Sequence, residues 1–368
     1  MIITNSIRKE GDTPADELMH LLRKQLDEES INEILSDFIN GKETSFHNLP
    51  QPLLEFLIKN GRTPNWVDAE LLDIGQNLYR VYGAEVNMLL LCGALPYCYS
   101  CAKGAEVLYQ TGRMLVEKSG SLDPFKKRLM DTAYFVMNVL DAEGLTEEGK
   151  AIESAQKVRL IHATVRYFLN KRGSWNKEYF GEPINQQDLL GTLMAFSVVI
   201  LEGLEKIGTN LSSREKEGFY HLWKLIGYYL GIKEKLLPKD YSEALSVKNQ
   251  ISQLQRRPSM AGIELQKTCI TFMEEVIPGK AFDNIASILT RHIIGHDIAD
   301  QLEVPQINKK MEWYVIKGIT LAVNKFDYLA DHNLFLQELA AIFNKNFTKK
   351  LISFYNNEKE INFSETSS

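Results

Sequence analysis

Apolar residues recur every three to four positions along almost the whole chain, and the alternating pattern of a half-buried strand is scarce. A period of 3.6 residues places such side chains on one face of a helix, so this pattern predicts helices throughout. They include a helix over residues 66–82 that ends near Gly83, one very apolar helix over 184–207, and a helix over 213–231 that begins with a capping box of Ser212 and Glu215. No internal repeat, Gly/Ser-rich linker or shift in composition divides the 368 residues. We therefore expect an all-α protein built as a single large helical domain with variable ends.

The composition favours a folded soluble protein and argues against a nucleic-acid partner. Hydrophobic residues make up 44% of the chain and charged residues 24%, and the formal net charge is −6. Nucleic-acid binding needs clustered Lys and Arg to neutralise phosphates, and a mildly acidic chain is poorly suited to that task. We therefore expect no nucleic-acid partner.

The sequence predicts neither export nor a membrane anchor. The N-terminal residues lack the apolar core of a secretory signal, and the apolar run 189–203 is shorter than the roughly 20 residues that span a bilayer. Cys98 and Cys101 have the CxxC spacing, but Ala102 follows them instead of the histidine that covalent haem attachment requires. We expect a cytoplasmic protein without a transmembrane segment, in which these thiols are small buried side chains.

The most informative predicted helix covers residues 147–172. Thr146 is a typical N-cap residue, Lys171 and Arg172 suit the last turn, and Gly173 suits a left-handed C-cap. About 26 residues at 1.5 Å each make a helix of roughly 39 Å. Because its sequence is apolar nearly all round, we expect this helix to be buried.

His162 lies on this helix, with Arg159 three residues before it and Arg166 four residues after it. These spacings place the three side chains on one face. Buried guanidinium groups need anionic partners, because an unpaired buried charge is strongly destabilising. The partners are either protein carboxylates around a structural histidine, or the propionates of a haem whose iron is bound by His162.

The preceding predicted helix carries a second group of polar residues. Arg128, Asp131 and Thr132 share a face at positions i, i+3 and i+4, and Phe135 follows on that face within an apolar run. Asp131 either forms a structural ion pair with Arg128 or lines a pocket. In a pocket its carboxylate could transfer protons, and the hydroxyl of Thr132 could form a hydrogen bond.

These two groups of residues resemble the family of rubber oxygenases, which includes latex-clearing proteins and mycophenolic-acid-type oxygenases. The patterns are R-x-x-x-T at Arg128 and Thr132, and R-x-x-H-x-x-x-R at Arg159, His162 and Arg166. Five further segments, in the same order along residues 60–305, are similar to this family. They are PNWVDAELLDIGQNLYRVYG (64–83), LLLCGALPYCYSCAKGAEVLYQTGRM (89–114), QQDLLGTLMAFSVVILEGLEKIG (186–208), YHLWKLIGYYLGI (220–232) and ILTRHIIGHDIADQLEVP (288–305).

The resemblance implies an all-α fold that holds b-type haem without a covalent bond. It implies that His162 is the proximal iron ligand and that Arg159 and Arg166 bind the cofactor. Arg128 and Thr132 would lie beside the haem. Rubber-cleaving members carry a lysine before the threonine that can bind the iron from the distal side, and this chain has Asp131 there.

The function predicted from the residues and the resemblance together is that of a haem-dependent oxygenase. It would use O2 to oxidise a hydrophobic, isoprenoid-like unsaturated molecule, with Arg128, Asp131 and Thr132 as the polar points of an apolar pocket. The identity of the substrate and of the electron donor stays open. The alternative is a haem-binding sensor or storage protein without turnover.

The resemblance also suggests a division of the chain into three parts. An N-terminal helical extension would cover residues 1–59, and the haem-binding catalytic core would cover residues 60–305. C-terminal helices and a disordered tail would cover residues 306–368.

Overall fold

The computed structural model describes residues 2–40, 49–112, 114–115, 121–146, 149–276 and 284–331. Every regular element within these residues is a helix and none is a strand, so the all-α prediction is confirmed. The α-helices are α1 (Thr13–Gln25), α2 (Glu28–Asn40), α3 (Gln51–Asn60), α4 (Ala69–Leu89), α5 (Leu95–Ser100), α6 (Ala102–Thr111), α7 (Asp123–Leu140), α8 (Ala151–Arg172), α9 (Lys177–Phe180), α10 (Gln186–Phe196), α11 (Val198–Ile207), α12 (Ser213–Tyr229), α13 (Tyr241–Gln255), α14 (Met260–Val276), α15 (Ile285–Ile294), α16 (His296–Gln301) and α17 (Lys309–Asp331). A π-helical turn, Leu90–Ala94, joins α4 to α5.

Helices α4 and α12 pack against each other through two glycines. A β-carbon built on Gly75 would lie 2.5 Å from the carbonyl oxygen of Gly218, so the two backbones come into direct contact at this crossing. Only glycine permits this approach, because any side chain would separate the helices. Leu78 of α4 and Leu222 of α12 lie one turn further along and belong to the main hydrophobic core.

Helix α4 continues past Gly83, where the sequence predicted its end. The backbone is locally kinked at Tyr82 (φ −107°, ψ 22°) and stays helical through the π turn into α5. A glycine inside a helix costs only about 1 kcal/mol relative to alanine. Burial of Val86 and Leu89 outweighs this cost, because each fully buried aliphatic side chain contributes about 1.5–3 kcal/mol. The predicted end at Gly83 is therefore wrong.

The continuous stretch Ala69–Ser100 is long and apolar enough to cross a membrane by length and composition alone. In the fold, 67% of its apolar window is buried inside the protein. Such burial is usual for the central helix of a folded domain. The sequence predicts a helix end at Gly83, and this end would divide the stretch into two shorter helices.

Helix α8 begins at Ala151, later than the sequence predicted. The hydroxyl of Thr146 donates to the carbonyl oxygen of Glu143 (2.8 Å) inside a turn, so Thr146 does not cap the helix. The 22 residues of α8 span roughly 33 Å. The C-terminal end agrees with the prediction, because Gly173 has left-handed backbone angles (φ 69°).

The apolar segment 184–207 forms two helices, where the sequence predicted one. Ser197 separates α10 from α11 (φ −113°, ψ −74°), and its hydroxyl donates to the carbonyl oxygen of Leu193 over 2.6 Å. Serine side chains that bond back to the preceding turn often bend a helix. The capping box predicted for Ser212 and Glu215 is present at the start of α12.

Residues near the N-terminus pack against helices from the middle of the chain. Arg8 forms an ion pair with Asp188 of α10 at 2.6 Å, and α1 packs against α8. The predicted division of the chain at residues 59 and 305 stays a prediction. Helix α17 lies within the predicted C-terminal helices, and the predicted disordered tail lies outside the described residues.

Candidate functional site

His162 lies in the middle of α8 and makes no hydrogen bond within the described part of the chain. Its Nδ1 atom is buried without a partner, while the side chain as a whole keeps some accessible surface. Burial, together with the positive charges of Arg166 and Arg128, lowers the pKa of His162 to about 3. The imidazole is therefore neutral at physiological pH, which is the state that binds a metal.

Arg159 is saturated by protein partners. Its Nε and Nη2 atoms donate to the two carboxylate oxygens of Asp12, at 2.6 and 2.8 Å, and Nη1 donates to the side-chain oxygen of Asn60 at 3.0 Å. Its guanidinium also lies over the ring of Phe56, 5.1 Å from the centroid. Arg159 therefore has the first of its two predicted kinds of partner, a protein carboxylate.

Arg166 has both a protein partner and an unused donor. Its Nε donates to Asp16 at 2.7 Å, and Nη1 makes a long contact of 3.4 Å with the carbonyl oxygen of Ile184. The Nη2 atom is buried and has no partner among the described residues. Arg166 therefore keeps one donor that an additional anion could use.

Arg128 of α7 places a second positive charge near His162. The positive charges of Arg128 and Arg166 both lower the pKa of His162. In the described residues the Arg128 guanidinium makes no hydrogen bond or ion pair, so the predicted alternative of an Arg128–Asp131 pair is not formed. The hydroxyl of Thr132 donates to the backbone carbonyl oxygen of Arg128 (2.9 Å). Arg128 is therefore the cation beside His162 that an anionic ligand can reach.

Two buried polar residues that the sequence did not indicate lie on the neighbouring helices α5 and α14, and the first of them is near Arg128. Tyr99 of α5 is fully buried, and its hydroxyl has no partner among the described residues. Burial raises the pKa of this hydroxyl, and the positive charge of Arg128, which also lowers the pKa of His162, opposes that effect. Gln266 of α14 is 1% exposed, and neither end of its amide has a partner in the described residues. A β-carbon on Gly262, one turn before Gln266, would lie 2.4 Å from the carbonyl oxygen of Tyr99. Helices α5 and α14 are thus in direct contact here.

Aromatic packing completes this arrangement of helices. Phe125 of α7 packs on Phe272 of α14, with 5.4 Å between the ring centroids, and Lys126 pairs with Glu275 at 2.8 Å. Together with the contact between α7 and α8, these interactions bring α5, α7, α8 and α14 around one region of the protein. No spacing in the sequence marks Tyr99 and Gln266, because what distinguishes them is that their buried polar atoms have no partner among the described residues.

The residues around His162 fit a bound haem. A neutral, buried imidazole without a partner can bind iron, and the nearby guanidinium groups complement the negative propionates. Buried polar atoms are normally hydrogen-bonded, and the unpartnered atoms of Tyr99 and Arg166 are free to bond a ligand as far as the described residues are concerned. In the described residues no three His, Cys, Asp or Glu side chains could hold a bare metal ion. His162 would thus supply a single protein ligand to an iron already bound by its porphyrin.

Other candidate metal and redox residues form no site in the part of the chain that the structure describes. Cys98 and Cys101 are free thiols, and burial raises the pKa of both, that of Cys101 to about 12. Such thiols react poorly, because the thiolate is the nucleophile. His292 and His296 lie on separate helices, α15 and α16, which Gly295 divides (φ 86°).

Comparison with known proteins identifies the family. The family described as "ER-bound oxygenase mpaB/B'/Rubber oxygenase, catalytic domain" matches residues 79–324. The rubber oxygenase of Streptomyces sp. (strain K30) is 22% identical over 293 residues, which cover 79% of this chain and 70% of that protein.

A solved structure of latex clearing protein LCP in the closed state has a similar fold. It superimposes with a TM-score of 0.75 over 98% of this chain and 95% of that chain, at 18% sequence identity. The fold similarity agrees with the family match, which covers the helices that carry Arg128 and His162. The resemblance predicted from the sequence motifs is therefore confirmed, and the chain belongs to the catalytic-domain family of ER-bound and rubber oxygenases.

Proposed function

We propose that this oxygenase binds b-type haem non-covalently, with His162 as the iron ligand. The observation that supports this most directly is the buried, neutral imidazole, which has no partner among the described residues. A structural histidine in a protein core normally has hydrogen-bonded ring nitrogens, because an unpartnered buried polar atom costs free energy. Coordination of a ring nitrogen to iron would give the imidazole a partner, which it lacks among the described residues.

Arg128 and Arg166 are the residues that we propose to bind the haem propionates. The guanidinium of Arg128 has no partner in the described residues, and Arg166 keeps the unpartnered donor Nη2. Arg159 was predicted for the same role, but Asp12 and Asn60 already bind all three of its nitrogens. We therefore assign Arg159 to holding α8 in place.

Asp131 and Thr132 would be the polar points of the substrate pocket. The hydroxyl of Thr132 gives its proton to a backbone carbonyl oxygen, so it can only accept a hydrogen bond from a bound molecule. The carboxylate of Asp131 would take up and return a proton. When bound, haem supplies the redox chemistry that activates O2.

The substrate that we propose is a hydrophobic, isoprenoid-like unsaturated molecule. The Streptomyces relative is named for its action on rubber, which is an unsaturated hydrocarbon. Aromatic side chains continue along α7 from the site, since Phe135 packs against Trp223, which in turn packs against Phe196. These side chains belong to the hydrophobic core, and such apolar surroundings would favour a hydrocarbon ligand. Asp131 stands where rubber-cleaving members carry a lysine, and for this reason we do not propose rubber itself as the substrate.

Titration with hemin tests the cofactor assignment. The wild-type protein should take up one equivalent, seen as a sharp Soret band, and acid–organic extraction should remove the colour. His162→Ala should lose most of this uptake and keep its helical circular dichroism. His20→Ala, which removes an exposed histidine of α1, is the matched control. Unchanged uptake by His162→Ala would refute the assignment.

Oxygen consumption tests turnover. Haem-loaded protein supplied with a reductant and an isoprenoid hydrocarbon such as squalene should consume O2 and form an oxygenated product. Haem binding without O2-dependent product from any unsaturated hydrocarbon would instead favour the sensor or storage alternative.

A further inference from the structure

A cavity lies between α11, α13 and α15, on residues that the proposed His162 site does not use. Its volume is about 450 Å³, which is within the range of pockets that hold small molecules. Glu202, Glu205 and Lys206 of α11 line it, together with Lys248 of α13 and Arg256, which follows α13. Three cationic and two anionic side chains therefore face one cavity.

The two carboxylates of the cavity are already neutralised by lysines. Nζ of Lys248, which is only 8% exposed, donates to both carboxylate oxygens of Glu202 at 2.6 and 2.7 Å. Glu205 pairs at 2.9 Å with Lys216 of α12, which is not part of the lining. Lys206 and Arg256 are thus left without an acidic partner in the described residues.

The other two cations of the lining, Lys206 and Arg256, lie near each other, and few of their hydrogen-bond donors have a partner among the described residues. Nζ of Lys206 donates to the carbonyl oxygen of Ile293 at 2.5 Å. Burial lowers the pKa of Lys206, Glu202 opposes this effect, and the charges of Lys248 and Arg256 add to it. Nε of Arg256 is buried without a partner, and its guanidinium lies 5.3 Å from the centroid of the Tyr97 ring. Arg256 is partly exposed, but its buried Nε lacks a partner and two positive charges face the cavity without an acidic partner among the described residues, so the cavity is electrostatically suited to an anion.

The rest of the lining is apolar. Val199 of α11, Ile293 and Ile294 of α15, and Ile298 of α16 face the cavity. A simple inorganic anion would satisfy the cations but leave this aliphatic surface in water. A ligand with both an anionic group and a hydrocarbon part satisfies both regions.

We propose that this cavity is a binding site for a small amphiphilic carboxylate, with the carboxylate between Lys206 and Arg256 and the hydrocarbon against the isoleucines. The guanidinium can form two parallel hydrogen bonds to such a carboxylate, and the ammonium group adds a third. The site is separate from the proposed haem site, so its occupancy can be tested independently of activity.

Isothermal titration calorimetry with octanoate tests this proposal. Octan-1-ol, which has the chain without the charge, and inorganic phosphate, which has the charge without the chain, are the comparison ligands. The variants are Arg256→Gln and Lys206→Met. The control Arg257→Gln removes the adjacent but exposed cation, which is not part of the lining. Circular dichroism checks the fold of each variant.

We expect octanoate to bind the wild-type protein and the Arg257→Gln control with similar affinity. Arg256→Gln and Lys206→Met should each bind it at least about tenfold more weakly, as expected for a lost charge-assisted hydrogen bond of about 1.5–3 kcal/mol. Octanoate binding that is unaffected in both folded variants would overturn the proposal. Equally tight binding of octan-1-ol or of phosphate would overturn the assigned ligand class.

Discussion

Asp12 and Arg159 form a buried ion pair with two parallel contacts, 2.6 Å between Oδ2 and Nε and 2.8 Å between Oδ1 and Nη2. Their side chains are 2% and 6% exposed, so water compensates neither charge if the partner is removed. Asp12 immediately precedes α1, and Arg159 is one turn from His162 on α8. The pair therefore fixes the N-terminal segment to the helix that carries the proposed iron ligand.

Removal of Asp12 should strongly destabilise the protein. Asp12→Ala leaves the Arg159 guanidinium buried with one uncharged partner, and breaking a buried pair in this way costs about 3–5 kcal/mol. Urea unfolding measures the change. The control is Glu28→Ala, which breaks exposed pairs with Lys171 and Arg23 and should cost much less, because solvent screens both pairs. Equal effects of the two substitutions would contradict the stabilising role of the Asp12 pair.

Arg166 and Arg159 should differ in their effect on haem. Arg166→Gln removes the donor Nη2 proposed for a propionate, so hemin should bind about tenfold more weakly, as expected for one charge-assisted hydrogen bond. Arg159→Gln should lower the free energy of unfolding and leave the hemin affinity of the folded fraction nearly unchanged. Hemin titration and urea unfolding of both variants measure the two effects. A larger loss of hemin affinity in Arg159→Gln would reverse the assignment.

The stability of haem-free protein should fall in mild acid because of His162. Its folded pKa of about 3 is below the value of about 6.5 of a free histidine, so below about pH 6.5 the unfolded chain binds a proton that the folded protein excludes. The contribution is constant above that pH and decreases towards about pH 3 at up to about 1.4 kcal/mol per pH unit. Urea unfolding across this range should show a shallower slope in His162→Phe. His20→Phe, the exposed control, should keep the wild-type profile.

Asp131→Ala should keep haem binding and change the oxygen chemistry. The carboxylate is shorter than the lysine that other members carry, and it is not among the residues proposed to hold the cofactor. We therefore expect normal hemin uptake, faster or equal binding of imidazole, and an altered pH profile of O2 consumption.

Electron paramagnetic resonance of the ferric protein provides a second measurement for Asp131. If no protein side chain closes the position opposite His162, the wild-type spectrum should have a high-spin component. A purely low-spin spectrum with two nitrogen ligands, unchanged in Asp131→Ala, would show that a different side chain occupies that position.

Gly75→Ala should destabilise the contact between α4 and α12. Its β-carbon would lie 2.5 Å from the carbonyl oxygen of Gly218, so the helices must separate, at a cost of about 1–3 kcal/mol or more. Gly318→Ala in α17 is the control, because no atom lies within 4 Å of its β-carbon. There the substitution should be neutral or stabilise the protein by up to about 1 kcal/mol. Thermal unfolding distinguishes the two outcomes.

The sequence predicted the elements that depend on local chemistry. The capping box of Ser212 and Glu215 and the left-handed Gly173 follow from residues within one helical turn, and the structure contains both. The helix break at Ser197 was missed, because a serine inside an apolar run is compatible with either one helix or two. Local patterns thus predicted the presence of helices more accurately than the positions at which the helices bend.

The partners of the site residues could not be predicted, because they are distant in sequence. Asp12 and Asp16 lie 147 and 150 residues before the arginines that they bind. The hydroxyl of Tyr99 and the amide of Gln266 are recognisable only when their lack of partners is seen in the fold. The motif around His162 predicted the family, whereas the distinction between Arg159 and Arg166 required the structure.

The ion pairs of Arg8, Asp12 and Asp16 also restrict the order in which the protein can fold during synthesis. Their partners lie in residues 159–188, so the first helix leaves the ribosome long before the chain that it binds has been made. Contacts between such distant residues form slowly, and until then these acidic and basic side chains remain hydrated. Completion of α8 and α10 is therefore the earliest point in translation at which the proposed haem-binding helix can reach its final position.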